Sequence, residues 1–269
     1  MKVIICEDYM KMSKKAAEVF TGQIKEKPDS VLGFATGSTP AGLYQELIKA
    51  CERGEVDFSQ ITSFNLDEYY KISPDNEQSY HYFMREQLFD HINIKSKNIH
   101  MPSIMMGARA PIQPQGGAGA LAPTQAPVPD GETKDIKQFC TDYEEAIIQA
   151  GGIDLQVLGI GKNGHIAFNE PGSSSNSRTR LVDLTQDTIN ANSRFFDKID
   201  EVPKQAITMG LATIMECKKI IMLANGSSKA EAMVKALEGS VTEEVPASIL
   251  QKHSEVIFIM DKEAGGLLS

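Results

Sequence analysis

The chain has 269 residues, 41% hydrophobic and 23% charged, which is enough for one large α/β domain with a substantial core and calls for no second domain. A net charge of -9 argues against a general nucleic-acid or anionic-membrane binder and restricts any anion site to a focused pocket. Cys6, Cys51, Cys140 and Cys217 lie far apart with no C-x-x-C spacing, and no histidine pair has metal spacing, so neither a zinc site nor a disulfide framework is expected.

The first apolar run, Val3 to Cys6, breaks at Glu7, too early for a signal peptide, and nowhere do about eighteen apolar residues run together. A cytoplasmic protein without a membrane partner is the expectation. That run predicts an opening strand. Ser13 is placed as the cap of a helix carrying Ala16, Ala17, Val19, Phe20 and Ile24 at helical spacing, ended by Lys27-Pro28. Residues 31–35 predict the next strand. Thr39-Pro40 then predicts an N-cap with proline at the first helical position, ahead of Leu43, Tyr44, Leu47 and Ile48. Thr36, Gly37, Ser38 and Thr39 thus join a strand to a helix N-terminus, where unpaired N–H groups and the helix dipole favour an anion; the same residues also make ordinary capped turns.

Residues 61–66 predict a third strand with Asp67-Glu68 at its carboxyl end, where open α/β sheets bind ligands; one of the two carboxylates is a candidate base. Residues 79–91 predict a helix in which His81 and His91 are packing or surface residues, and residues 98–101 predict a short strand. Composition then changes. Residues 103–129 hold Arg109 as their one charged residue, five prolines and the run Gly116-Gly117-Ala118-Gly119-Ala120, so they read as an insertion with linker character and no secondary structure. Regular patterning resumes with a helix over 132–150 stopped by Gly151-Gly152.

The apolar run over 153–158 predicts a buried strand, followed by Gly159-Ile160-Gly161-Lys162-Asn163-Gly164-His165-Ile166-Ala167-Phe168-Asn169-Glu170-Pro171. Its glycines let the chain bend tightly and bring backbone close to a ligand, while His165 and Glu170 form a candidate proton-handling pair. Further strands are expected at 206–209, 219–224 and 256–260, with a helix over 228–237. The alternation of strands and helices predicts a Rossmann-like, doubly wound, mostly parallel sheet with helices on both faces, in a single domain over residues 1–269.

Read together, Gly33 to Pro40, Phe64-Asn65-Leu66-Asp67-Glu68-Tyr69-Tyr70, the loop after Gly159, Asn192-Ser193-Arg194-Phe195-Phe196 and Gly226-Ser227-Ser228-Lys229 resemble the glucosamine-6-phosphate deaminase family. The resemblance spans the whole chain apart from 103–129. It implies conversion of glucosamine 6-phosphate and water to fructose 6-phosphate and ammonia in amino-sugar catabolism, with no metal or organic cofactor. It further implies that Asp67 moves a proton between C2 and C1 and that His165, oriented by Glu170 and Asn163, opens the sugar ring. Thr36, Gly37, Ser38 and Thr39 would hold the phosphate, with Arg194 and Lys229 supplying its counter-charge, and the region around 178–196 would contribute a lid. Position 163 departs from the aspartate that many members carry, which removes a charge beside His165. Two other classes share the fold: 6-phosphogluconolactonases, which are not expected to show Asn-Leu-Asp-Glu-Tyr, and sugar-phosphate sensor domains, which need a DNA-binding segment where here a strand is expected almost from Met1. The oligomeric state is left open.

Overall fold

The computed structural model describes residues 1–104, 136–193, 196, 198 and 201–269. In chain order its elements are β1 (Lys2–Cys6), α1 (Tyr9–Glu26), β2 (Val31–Phe34), α2 (Ser38–Glu52), β3 (Thr62–Asn65), β4 (Asp67–Tyr69), α3 (Tyr80–Gln87), β5 (Ile99–His100), α4 (Ile136–Gln149) and β6 (Leu155–Gly159). They continue with β7 (Arg180–Asp183), α5 (Gln186–Asn192), β8 (Gln205–Thr208), α6 (Leu211–Met215), β9 (Ile220–Ala224), α7 (Ala230–Leu237) and β10 (Val256–Asp261).

A seven-stranded sheet runs in the order β1-β10-β9-β6-β2-β3-β5, and every pairing in it is parallel. Parallel strands need crossovers that cover the sheet, so inner strands read as continuous apolar runs. Ile220-Ile221-Met222-Leu223-Ala224 of β9 is buried at all its positions, whereas edge strand β1 leaves Val3 and Ile5 exposed. Gly33 of β2 faces Gln156 of β6, and a Cβ there would lie 1.8 Å from the Gln156 Oε1, so the two central strands meet only because residue 33 has no side chain. Helix α1 seats Phe20 on Phe34 of β2 with ring centroids 5.8 Å apart; a buried aromatic of this kind costs about 3–5 kcal/mol to truncate to alanine.

Several expectations are corrected. Asp8, not Ser13, caps α1, accepting from the Lys11 N–H at 2.7 Å, while Ser13 is fully buried where α1 meets Gly42 of α2. Helix α2 starts at Ser38 with Gly37 as its cap, so Pro40 falls two residues later than expected. Gly37 has φ 102°, a conformation that glycine alone adopts cheaply and that turns the chain into the helix before Thr39 is reached. The helix expected over 79–91 ends at Gln87 and gives way to a 3-10 turn at Phe89–His91.

The largest correction is a second sheet. The order β4-β8-β7 is antiparallel throughout, so residues 205–208 do not extend the parallel sheet. Leu66 joins the two sheets, its N–H donating to the Phe34 carbonyl at 3.1 Å and its own carbonyl accepting from the Met209 N–H at 2.8 Å. The chain therefore leaves the main sheet one residue before Asp67. Tyr69, Ile72, Phe168, Leu184 and Ala206 form a small core for this second sheet, separate from the main one. All of the expected insertion except Ser103 and Ile104 lies outside the described residues, as do residues 132–135 of the expected helix; the chain enters the insertion just after β5.

Candidate active site

Because the seven strands are parallel, their carboxyl ends share one edge. On it the four adjacent strands β9, β6, β2 and β3 are followed by Gly226–Lys229, the loop 160–171, residues 35–39 and Asp67. Nearly all the residues singled out in the sequence are thereby brought together. Arg194 lies outside the described residues.

Asp67 and Glu68 adjoin in sequence and differ in environment. Glu68 is fully buried and fully used: its carboxylate accepts from the N–H groups of Tyr69 at 2.9 Å, Tyr80 at 2.9 Å and His81 at 2.8 Å, the last two opening α3. Burial raises its carboxyl to about 7 in spite of those bonds. Asp67 is also buried, and no hydrogen bond to its carboxylate occurs among the described residues. Burial first, then the neighbouring Glu68, pushes it up to about 8. Of the two candidates, Glu68 holds the fold and Asp67 is free for chemistry.

The loop after β6 is fixed by its backbone. The Gly161 N–H donates to the His165 carbonyl at 2.9 Å, and the His165 ring lies flat on Gly161, where a Cβ would come within 2.3 Å of it. Ala167 has φ 51°, which costs a non-glycine residue roughly 1 kcal/mol. The turn is held in that shape by Asn169, whose amide donates to the carbonyls of Ile166 at 3.0 Å and Met209 at 2.8 Å. Its result is to bring Glu170 back to His165. The imidazole Nδ1 and Glu170 Oε2 are 3.3 Å apart, an electrostatic contact too poorly aligned to satisfy Nδ1 as a hydrogen bond. Asn163 spans the pair, its side-chain amide donating to Glu170 Oε2 at 2.7 Å and its Oδ1 accepting from the His165 N–H at 3.1 Å. Burial alone would raise Glu170, but His165, Thr188 and Asn163 outweigh it and hold the carboxyl at about 2.

The turns after β2 and β9 have the opposite character. No side chain caps α2, and Thr39 donates through its hydroxyl to Asn225 Oδ1 at 2.7 Å, tying the two turns together across β6. Gly226, at φ 83°, donates its N–H to both oxygens of Asp261 at 3.0 Å, which aims the following Ser227–Lys229 turn. Lys229 is half-buried, and among the described residues it has no ion-pair partner; burial, then the nearby Lys162, pushes its ammonium down. Two lysines near each other, neither in an ion pair with a carboxylate among the described residues, beside an uncapped helix N-terminus, suit an anion.

Sequence reasoning missed four contributors. Asp261 lies at the end of an apolar strand and carries no motif of its own. Asn169 and Arg180 bond through Oδ1 and Nη1 at 2.9 Å, a contact between residues eleven apart in sequence. Thr188 donates to Glu170 Oε1 at 2.7 Å from α5; only its place beside Thr185, in a short polar helix after β7, hinted at a role. A cavity of about 540 Å3 opens between α4 and β7, lined by Cys140, Thr141, Glu144, Arg178, Arg180 and Leu181; Arg180 is the one residue of the site described above that borders it. Among the described residues no group of three or more His, Cys, Asp or Glu is arranged to hold a metal ion, and no helix is long and apolar enough to cross a membrane.

A family model described as glucosamine-6-phosphate isomerases/6-phosphogluconolactonase matches residues 8–259, a span that takes in every turn of this edge, and the chain belongs to that family. Within it, two relatives named glucosamine-6-phosphate deaminase are close over the full chain. One, from Thermoanaerobacter sp. (strain X514), is 51% identical over all of this chain and 95% of its own length. The other, from Halothermothrix orenii, is 50% identical over the whole of both chains. A solved structure described as a monomeric glucosamine-6-phosphate deaminase superposes with a TM-score of 0.85 at 42% identity, covering 99% of this chain and 100% of that one. A 6-phosphogluconolactonase from Trypanosoma brucei gives a TM-score of 0.71 at 18% identity, covering 100% and 98%, a likeness of fold alone.

Proposed function

We propose that this chain is a glucosamine-6-phosphate deaminase that releases ammonia from glucosamine 6-phosphate and leaves fructose 6-phosphate. The observation that carries the reading is the pairing, on one sheet edge, of a buried carboxylate that accepts no hydrogen bond among the described residues with a lysine-bearing, uncapped turn. The first suits proton abstraction beside an amine and the second suits a phosphate. The full-length identity to relatives of that name supports the deaminase over the lactonase.

In this reading the phosphate rests against Thr36, Gly37, Ser38 and Thr39 with Lys229 as counter-charge, and Arg194 is proposed as a second cation. His165, oriented by Glu170 and Asn163, takes the proton from the C1 hydroxyl and returns one to the ring oxygen, which opens the ring. Asp67 then removes the C2 proton and delivers it to C1. The ammonium that the substrate carries at C2 supplies a positive charge that none of the described residues brings to Asp67, so binding itself favours the ionised base. The rearrangement leaves an imine at C2, and addition of water expels ammonia.

The test is ammonia release by the purified chain supplied with glucosamine 6-phosphate, beside acid release from 6-phosphogluconolactone. Turnover of the amino sugar alone is expected. Hydrolysis of the lactone without ammonia release would replace this reading with the lactonase one.

A further inference from the structure

Glu170 is gripped at both oxygens by different parts of the molecule. Asn163, from its own loop, donates to Oε2 at 2.7 Å, whereas Thr188, from α5 on the far side of β7, donates to Oε1 at 2.7 Å. The direction of the second bond is forced by chemistry, because an ionised carboxylate only accepts. With its proton committed to Glu170, the Thr188 hydroxyl can receive one, and Thr185 Oγ1 supplies it at 3.0 Å. Thr185 is itself the cap of α5 and accepts the Thr188 N–H at 3.2 Å. Both hydroxyl protons therefore point toward Glu170, a chain in which each bond polarises the next.

Helix α5 is also seated where it can feel the site. Ile189 and Phe196 pack on the small core that holds Phe168, between His165 and Glu170, and Tyr69, two residues after Asp67. The rings of Tyr69 and Phe168 lie 5.9 Å apart, and those of Tyr69 and Phe196 lie 6.3 Å apart. One small core thus sets α5 against both the base strand and the histidine loop.

We propose that Thr188 is a positioning residue for the acid–base pair, its hydroxyl fixing the plane of the Glu170 carboxylate that faces His165. With Asn163 as the one hydrogen-bond anchor left to it among the described residues, the carboxylate would turn about its own bond and the imidazole would lose a fixed orientation. The inference rests on the deaminase reading for its kinetic consequence only; the hold on Glu170 is a property of the chain itself.

The test uses the full chain with Thr188→Val, Thr188→Ala and Thr188→Ser. In ammonia release, Val and Ala should lower kcat by about tenfold with KM within about twofold, while Ser, which keeps the hydroxyl, stays within about twofold of wild type in both. In carboxyl NMR of glutamate-labelled protein, the Glu170 titration midpoint should rise by about one pH unit in Val and Ala and stay unmoved in Ser. Wild-type kcat in Val and Ala, a rise of KM that matches the loss of kcat, or a Ser variant as impaired as Val would overturn the proposal, and so would an unmoved midpoint. A wild-type chain that releases no ammonia would end the deaminase reading instead, and the NMR midpoints would still decide whether Thr188 holds Glu170.

Discussion

The two halves of the sheet edge use opposite electrostatics. The turns after β2 and β9 present uncommitted positive groups: an uncapped helix N-terminus and Lys229, with Lys162 nearby and no ion-pair partner for Lys229 among the described residues. The loop after β6 and the start of β4 present carboxylates instead, Glu170 held ionised by its neighbours and Asp67 withheld from water. A sugar carrying a phosphate at one end and an ammonium near the other fits such an edge in one direction.

Removing Asp67's charge should break the contrast most severely. Asp67→Asn is expected to lower kcat by about a thousandfold or more while glucosamine 6-phosphate still binds, because a neutral amide cannot accept the C2 proton. Near-normal turnover would move the base elsewhere. Lys229→Ala attacks the other half: loss of a charge-assisted contact of about 1.5–3 kcal/mol should raise KM about ten- to a hundredfold. Competition by unphosphorylated glucosamine should hardly change, and equal weakening of both sugars would remove Lys229 from the phosphate site.

A pH series sharpens the comparison further. Asp67 rises from an ordinary 3.8 to about 8, so between those values the folded chain keeps a proton that the unfolded chain has lost. Its contribution to stability is therefore greatest near pH 4, falls as pH rises through that window and levels off above about 8. Denaturation across pH 4–9 should show this slope in wild type and a flatter one in Asp67→Asn, with the variant the more stable of the two at pH 9 by roughly 1–3 kcal/mol. Activity should run the other way, kcat/KM climbing toward an apparent value near 8 as Asp67 ionises in the free enzyme. Matching stability slopes in the two proteins would mean that Asp67 is not a buried, raised carboxyl.

The smallest effect is expected from deleting residues 103–129, whose composition reads as a passive insertion. Loop-closure entropy grows slowly with length, so stability should change by no more than about 1–2 kcal/mol and KM for glucosamine 6-phosphate should hardly move. A large change in KM would place the segment at the pocket or its lid.

Much of this edge was legible beforehand because its signals are local. A glycine-rich turn after an apolar run marks a strand end, and parallel strands put all such ends on one side, so Thr36 to Thr39, Asp67, the loop after Gly159 and Lys229 could be placed on one edge without coordinates. Element boundaries were less legible. Ser13 looked like a cap because serine favours caps, yet burial against Gly42 claimed it, and Asp8 was free to do that work. The second sheet was missed because short strands such as Asp67–Tyr69 carry too few residues to show a period.

By itself, then, the sequence determined the strand–helix alternation, the chemical groups at the strand ends and the turns that need glycine, all of which follow from backbone sterics and side-chain polarity over a few residues. The tertiary structure alone decided which of two adjacent carboxylates is committed to backbone N–H groups and what fixes Glu170. Asp67 and Glu68 are alike in sequence. They differ because α3 folds its first N–H groups onto Glu68 and leaves Asp67 buried without a donor among the described residues, while Glu170 is fixed by Thr188 across eighteen residues of chain. Burial and long-range hydrogen bonds set the free energy of a charged group, and neither exists until distant segments have packed.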